Sequence, residues 1–348
     1  MKKLLTVFTI VMFVSFVWVW SSYQQALDTT LNVESGGLSY SIKSGSSLSA
    51  VLYDLHKKKI INHPRYLLLY ARFNDLAGNM KAGDYQLSKD LKTKQFLDNI
   101  FSGKVIQFSL TIIEGWSFLQ LLEAIKNHPQ IKHTLDSKLS EKEIMEQLGL
   151  SDIHHEGQFL PDTYHFPKQL TDVDFLKRAY TSMQSVLNEE WDNRAVGLIY
   201  KNSYEALIMA SIIEKETGQP HERDQISGVF LRRLEKGMRL QTDPTVIYGM
   251  GKEFKGNLRK RDLLRNTPYN TYRRHGLPPT PIALPGRKAI HAALHPAAGD
   301  ALYFVSRGDG SHVFSATLRE HNNAVIKYQL KGRVRSFSSY KHKKQNKE

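Results

Sequence analysis

Hydrophobic and polar positions follow several distinct patterns along the chain. From Leu4 to Trp20 the 17 residues carry no charge and are mostly apolar, which predicts a helix just long enough to cross a membrane. Ser39 to Lys43 alternates and predicts a strand; Ser47 then caps a helix from about Leu48, and Pro64 opens another. A short strand over Asp84–Leu87 and a helix to Phe101 follow. Val105 to Ile113 alternates again, and Ser117 caps a helix beginning at Phe118. A short helical stretch within Asp136–Leu150 and an amphipathic helix over 172–195 come next. Arg223–Gly237 predicts a helix with Ile226, Val229, Phe230 and Leu234 on its apolar face. Two strands, Leu302–Ser306 and His312–Ser315, flank a Gly-Asp-Gly turn, and a helix containing Asn322 closes the pattern.

One stretch departs from amphipathicity. Between Ala206 and Ile213 every residue except Ser211 is apolar, so the helix predicted over Tyr204–Gly218 belongs in a core. Gly218 and Pro220 predict its end, with a left-handed cap at the glycine. Its last turn carries Glu214 and Glu216. The helix dipole places negative potential there, and burial adds to it, so a carboxyl at this position is pushed toward the proton affinity a general acid needs. Residues two apart on a helix point roughly 200° from each other. One glutamate therefore faces a cleft while the other meets solvent or a cation.

Three segments lack periodicity. Glu156–Lys168 mixes Gly, Pro and aromatics with Glu156 and Asp162, a composition suited to a loop that stacks on sugars. Met238–Gly251 predicts a polar turn carrying Gln241, Thr242, Asp243 and Tyr248. The 21 residues from Asn266 to Gly286 hold five prolines, a rigid stretch of the kind that carries function.

Composition narrows the setting. A chain of 348 residues suggests about two or three domains. The absence of cysteine excludes disulfides, thiolate metal sites and thiol nucleophiles. A net charge of +14 favours an anionic partner. Lys2 and Lys3 precede the apolar run, no lysine follows until Lys43, and no small-residue cleavage site lies close by. These features predict a retained anchor with its N-terminus inside and the rest of the chain outside the cytoplasm. A nucleic-acid partner is therefore not expected. There is no HExxH, serine-hydrolase elbow, P-loop or dinucleotide fingerprint. His291 and His295 lie four apart, but no carboxylate follows at ligand spacing, so neither a metal nor a cofactor is expected. The basic stretch Lys331–Glu348 predicts a solvated tail, or a tether to anionic lipid or wall polymer. The fold class expected is α+β.

Two resemblances sharpen the expectation. Ser-Gly-x-Ser-Leu followed by Lys-Ala-Gly-x-Tyr within residues 39–103 resembles the LysM fold, which implies binding of N-acetylglucosamine polymers. The runs ASIIEKETG, ERD, MRLQTDPTVIYGMG, TPYNTY, GLPPTPIALPG, HPA and LYFV resemble the MltG (YceG-like) family of endolytic murein transglycosylases. That resemblance implies an inner-membrane protein facing the periplasm. It divides the chain into a cytoplasmic stub and anchor (1–20), a linker and LysM-like subdomain (21–104), a mixed α/β catalytic domain (105–330) and the tail (331–348). The implied reaction cuts nascent peptidoglycan glycan strands and leaves 1,6-anhydro-muramic ends, with wall synthases as possible partners. Lytic transglycosylases place a catalytic glutamate before a serine near a buried helix end; Glu216 before Thr217 is the similar position, with Glu214 the alternative and Glu222 and Arg223 as supports. By side-chain type and segment, Gln241, Asp243, Tyr248, Asn270 and Tyr272 are the expected sugar-binding residues. The rival expectation is a wall-binding scaffold that recruits synthases without cleaving.

Overall fold

The computed structural model describes residues 2–76, 78–330 and 333, so the expected basic tail lies outside the described residues apart from Arg333. The chain divides into two compact units, one of residues 1–109 and 165–170 and the other of 110–164 and 171–348.

The first unit begins with helix α1 (Lys2–Asp28). Leu4 to Trp20 lies on its exposed portion, and it is the one described helix long and apolar enough to cross a membrane. Its last turn is different, because Ala26 and Leu27 are buried. Strand β1 (Leu38–Ile42) pairs antiparallel with β2 (Gly83–Leu87), Leu38 opposite Leu87 and Ile42 opposite Gly83. Between them run α2 (Leu48–Lys57) and α3 (Pro64–Phe73), and α4 (Thr93–Ser102) follows. Period-two alternation puts Tyr40 and Ile42 from β1 and Tyr85 and Leu87 from β2 into one core with Leu52, Leu55, Leu67 and Phe96 of the helices. Ser47 caps α2 as its pattern predicted, its hydroxyl accepting the Ala50 N–H at 3.2 Å.

Strands β3 (Gln107–Thr111) and β4 (Thr163–Pro167) form a second two-stranded sheet. Thus the non-periodic segment Glu156–Lys168 is not wholly a loop. Tyr164 and Phe166 alternate inward along β4, a short signal obscured by the prolines on either side.

The second unit wraps helices around one buried helix. In chain order these are α5 (Phe118–Lys126), α6 (Glu141–Gln147), α7 (Asp172–Asp192), α8 (Ser203–Glu216), α9 (Arg223–Glu235), α10 (Asp243–Met250), α11 (Lys260–Leu264) and α12 (Arg287–Leu294). Every residue of α8 from Ala206 to Ile213 is buried, packed among residues of α7, α9 and α12. Its one polar core residue is satisfied: the Ser211 hydroxyl donates to the Ile208 carbonyl at 2.7 Å and accepts the Ile282 N–H at 3.0 Å. The hairpin of β5 (Tyr303–Ser306) and β6 (His312–Ser315) and the closing helix α13 (Leu318–Tyr328) complete the unit. The result is a mixed α/β architecture.

Two local expectations change. Helix α8 ends at Thr217 in extended conformation (φ −140°, ψ 134°), not at a left-handed Gly218. Residues 243–250 are helical, not a turn: Pro244 occupies the first helical turn, where its missing N–H costs no internal bond. Residues 266–286 carry no regular helix or strand, as their prolines predicted.

Candidate active site

The end of α8 sends its two glutamates into different surroundings. Glu214 is clamped. Its side chain is 5% exposed, Oε1 accepts from Arg223 Nη2 at 3.0 Å, and Oε2 accepts the Gly286 N–H at 2.9 Å. Arg223 also reaches Glu114 at 3.5 Å. Burial raises the Glu214 carboxyl above its usual range, against the opposing pull of the Gly286 N–H and the guanidinium. Between the two glutamates, Lys215 donates to the Gly115 carbonyl at 3.1 Å, which ties the last turn of α8 to the start of α5.

Among the described residues, no cation is bonded to Glu216. Its Oε1 accepts a short hydrogen bond from the Thr242 hydroxyl. Burial pushes its carboxyl up to about 7, with the Asp243 charge pushing the same way and Thr242 and His312 pulling back. A carboxyl with that affinity is protonated often enough at neutral pH to donate and ionised often enough to accept. Thr242 is in turn locked. Its N–H donates to Thr271 Oγ1 at 3.1 Å, its carbonyl accepts from Thr245 Oγ1 at 2.8 Å, and those two hydroxyls lie 2.9 Å apart. Just before it, Gln241 holds φ at +55°, a strained value for a residue with a Cβ. Arg233 Nη2 donates to its side-chain oxygen at 3.2 Å.

The four other expected sugar-binding residues separate into three groups. Asp243 and Tyr272 stand together near Glu216, the tyrosine hydroxyl donating to Asp243 Oδ1 at 2.7 Å. Burial first, then the Asp243 charge, raises the Tyr272 hydroxyl, which keeps it a donor. Tyr248 lies on the other side of α10, edge-on to Tyr269 with centroids 4.9 Å apart and bonded to Glu156. It lines a cavity of about 250 Å³ with Ser117, Gln120, Lys215, Pro244 and Ile247. Asn270 is not on a surface at all. It is 0% exposed, and its amide donates to the carbonyls of Asp262, Leu263 and Arg265 while its oxygen accepts the Tyr272 N–H. That makes it a staple of the loop, not a free ligand for sugar.

Four features escaped the sequence pattern. Thr242, in a segment whose pattern predicts a polar turn, is the partner of Glu216. Glu156 is 2% exposed and accepts the Phe118 N–H at 2.9 Å, and burial pushes its carboxyl to about 7. Glu222 meets His312, a residue of the hairpin. The histidine pair also gains a carboxylate that its spacing did not supply: Glu190 of α7 joins His291 and His295, with ligand atoms all within 4.8 Å. Those atoms are engaged, however. Glu190 accepts from Arg287 Nε at 2.7 Å and lies 2.8 Å from His291 Nδ1, and both His295 nitrogens sit at backbone carbonyls, 3.1 and 3.0 Å away.

Comparison with known proteins places this architecture. The sequence model of the YceG-like family matches residues 40–327. The chain belongs to the YceG-like family. The endolytic murein transglycosylase of Bacillus subtilis (strain 168) is 34% identical over 319 residues, covering 86% of this chain and 85% of that relative. The endolytic murein transglycosylase of Streptococcus pneumoniae (strain D39) is 24% identical, with 87% of this chain matched to 61% of that longer protein. Among solved structures, a YceG-like protein of Listeria monocytogenes superimposes with a TM-score of 0.52 at 32% identity, covering 83% of this chain and 99% of that one. The α8 end and the start of α10 described above therefore belong to a YceG-like framework, within the matched residues.

Proposed function

We propose that this YceG-like chain is a membrane-tethered endolytic lytic transglycosylase. It cleaves the β-1,4 bond between N-acetylmuramic acid and N-acetylglucosamine within nascent peptidoglycan strands and so ends their elongation. The observation that carries the reading is Glu216 at the end of the buried helix α8, its Oε1 bonded to the Thr242 hydroxyl and its carboxyl pushed up by burial to about 7, in a chain whose relatives are named for this reaction.

One carboxyl suffices for the chemistry. Protonated Glu216 gives its proton to the glycosidic oxygen as the bond to the muramic C1 breaks. The carboxylate then takes the proton from the C6 hydroxyl of the same sugar, whose oxygen closes on C1 to form the 1,6-anhydro ring. The attack is intramolecular, so orientation replaces a second nucleophile. No water enters, which distinguishes the reaction from the paired-carboxylate hydrolyses. Asp243 and Tyr272 lie on the Glu216 side, suited to sugar hydroxyls and to the developing cationic charge at C1. Gln241 and Tyr248 extend the binding surface along α10.

Residues 4–20 anchor the chain in the bacterial inner membrane, and the remainder works in the periplasm. The exposed apolar length of α1 supports this. Residues 21–104 act as a LysM-like glycan-binding subdomain ahead of the catalytic region 105–330. Support comes from its strand–helix–helix–strand order and from a cavity of about 320 Å³ lined by Tyr85, Gln86, Asn99 and Lys104 among others. A synthase working on the same strand is the expected partner.

The test uses the full-length protein in detergent as wild type, Glu216→Gln and Glu214→Gln, incubated with uncrosslinked glycan strands and followed by mass spectrometry. Anhydro-ended fragments from wild type and Glu214→Gln, but not from Glu216→Gln, are expected. Reducing ends would replace the mechanism by hydrolysis. Strand binding without cleavage by wild type would replace the enzyme by a scaffold.

A further inference from the structure

Helix α9 buries a cation that no acid neutralises. Arg233, in its last turn, is 7% exposed, and among the described residues no carboxylate pairs with it. Burying an unpaired charge is costly, so what the side chain holds in return matters. Its Nη1 donates to the Leu240 carbonyl, and Nη2 donates to Gln241 Oε1 at 3.2 Å. The guanidinium carbon stands 5.2 Å from the ring centre of Tyr303 in β5, and His321 of α13 stacks on that same ring, centroids 5.2 Å apart. Nε is buried and has no partner among the described residues. The two Nη bonds and the ring contact are thus what the buried cation gains.

Both Nη bonds end on the turn that leads into α10. Gln241 is exposed, yet its φ is +55°, a left-handed value that a residue with a Cβ resists. The neighbouring chain grips it from the other side, its N–H donating to the Thr271 carbonyl at 3.2 Å. The next residue, Thr242, sets its hydroxyl on Glu216 Oε1. An unbroken series of hydrogen bonds and one peptide link therefore runs from Arg233 through Gln241 and Thr242 to Glu216. If φ at Gln241 relaxed to an ordinary value, the residue that follows would be aimed elsewhere.

We propose that Arg233 is a positioning residue for Glu216: its guanidinium fork holds the left-handed turn at Gln241, and that turn aims the Thr242 hydroxyl at the carboxyl. This rests on Glu216 being the acid. Arg233 itself touches no sugar and exchanges no proton. A fork is needed because two oxygens on successive residues must be held at once in fixed geometry. A lysine keeps the charge but offers a single ammonium on a flexible stem.

The test separates positioning from bulk stability. Full-length protein in detergent is assayed for anhydro-product formation from uncrosslinked glycan strands, with kcat and KM measured separately. The proteins are wild type, Arg233→Lys, Thr242→Val, the double variant of those two, Gln241→Ala, Gln241→Gly and Glu216→Gln. Arg233→Lys should lower kcat by about tenfold while KM stays within about twofold. In the Thr242→Val background the same substitution should cost less than about twofold, since the bond it aligns is already gone. Losses that multiply in the double variant, or an Arg233→Lys protein with a lower melting temperature and an unchanged kcat, overturn the proposal. If Arg233→Lys does not fold, the Gln241 pair carries the test. Both of its members lose the side-chain oxygen, but only glycine takes φ +55° without strain. Gln241→Gly should therefore exceed Gln241→Ala in kcat by about fivefold, and equal values overturn the proposal. Product formation by Glu216→Gln overturns the functional reading instead, so the two failures are distinguishable.

Discussion

The Thr242 hydroxyl donates to Oε1 of Glu216 across a sequence gap that no local pattern spans. A hydrogen bond to a charged oxygen is worth about 1.5–3 kcal/mol, and it favours the ionised form. Thr242→Val therefore raises the Glu216 pKa from its value of about 7, by about 1–2 units. The basic limb of the rate–pH profile moves up accordingly, and at pH 6 the rate falls because the unheld carboxyl loses its orientation. Thr242→Ser, which keeps the donor, returns the limb to the wild-type position. A Val variant with an unmoved limb would show that the hydroxyl only fills space.

Glu214 offers the contrasting case. It has a raised proton affinity, yet its two oxygens are taken by Arg223 and the Gly286 N–H. Breaking a buried ion pair from one side costs about 3–5 kcal/mol, because the partner is left charged and unpaired. Arg223→Ala should lower the melting temperature by several degrees and leave Glu214 and Glu114 without their shared cation. Glu214→Gln keeps the Gly286 bond and loses less. Its products should be those of wild type. A Glu214→Gln protein that melts normally but forms no anhydro ends would move the acid role from Glu216 to Glu214.

Much of this framework was legible because it rests on local pattern. An unbroken apolar run with one serine can only be a core helix, so α8 and its terminal glutamates followed from the sequence. The hairpin and its turn were equally plain, as were the serine caps of α2 and α5. Helix α10 was not legible, since Asp-Pro reads as a turn as readily as a helix start, and packing decides between them. Side-chain partnerships across the fold were out of reach for a different reason. Thr242 with Glu216, His312 with Glu222 and Glu190 with His291 each join residues separated by 26, 90 and 101 positions. Asn270 shows the same limit from the other direction: an amide in a loop can bind a ligand or fasten the loop, and burial alone separates the two.

That burial gives Asn270 its own prediction. Asn270→Ala strands the carbonyls of Asp262, Leu263 and Arg265 and the Tyr272 N–H, all of which it now pairs. Some of these groups recover water, so the net loss is about 2–4 kcal/mol. Tyr272 should lose its alignment with Asp243 as a secondary effect, lowering activity with stability. Chemical denaturation with strand-binding measurements separates the alternatives. A weaker KM at unchanged stability would identify Asn270 as a sugar contact after all.

Glu156 predicts how stability itself depends on pH. Burial pushes this carboxyl from 4.5 to about 7, its Phe118 and Tyr248 hydrogen bonds only partly offsetting the effect. Between those values the folded chain holds a proton that the unfolded chain has released. Stability therefore falls as pH rises from about 4.5 to about 7. The full excursion for a shift of that size is on the order of 3 kcal/mol. Glu156→Gln removes the titration while keeping an oxygen for the Phe118 N–H. Relative to wild type, the variant should be less stable or equal at pH 5 and more stable at pH 8. Paired denaturation curves at the two pH values give the difference directly, with other titrations cancelling between the proteins. A difference that does not change with pH would mean that Glu156 ionises normally, and that its Tyr248 bond carries a charge this burial disfavours.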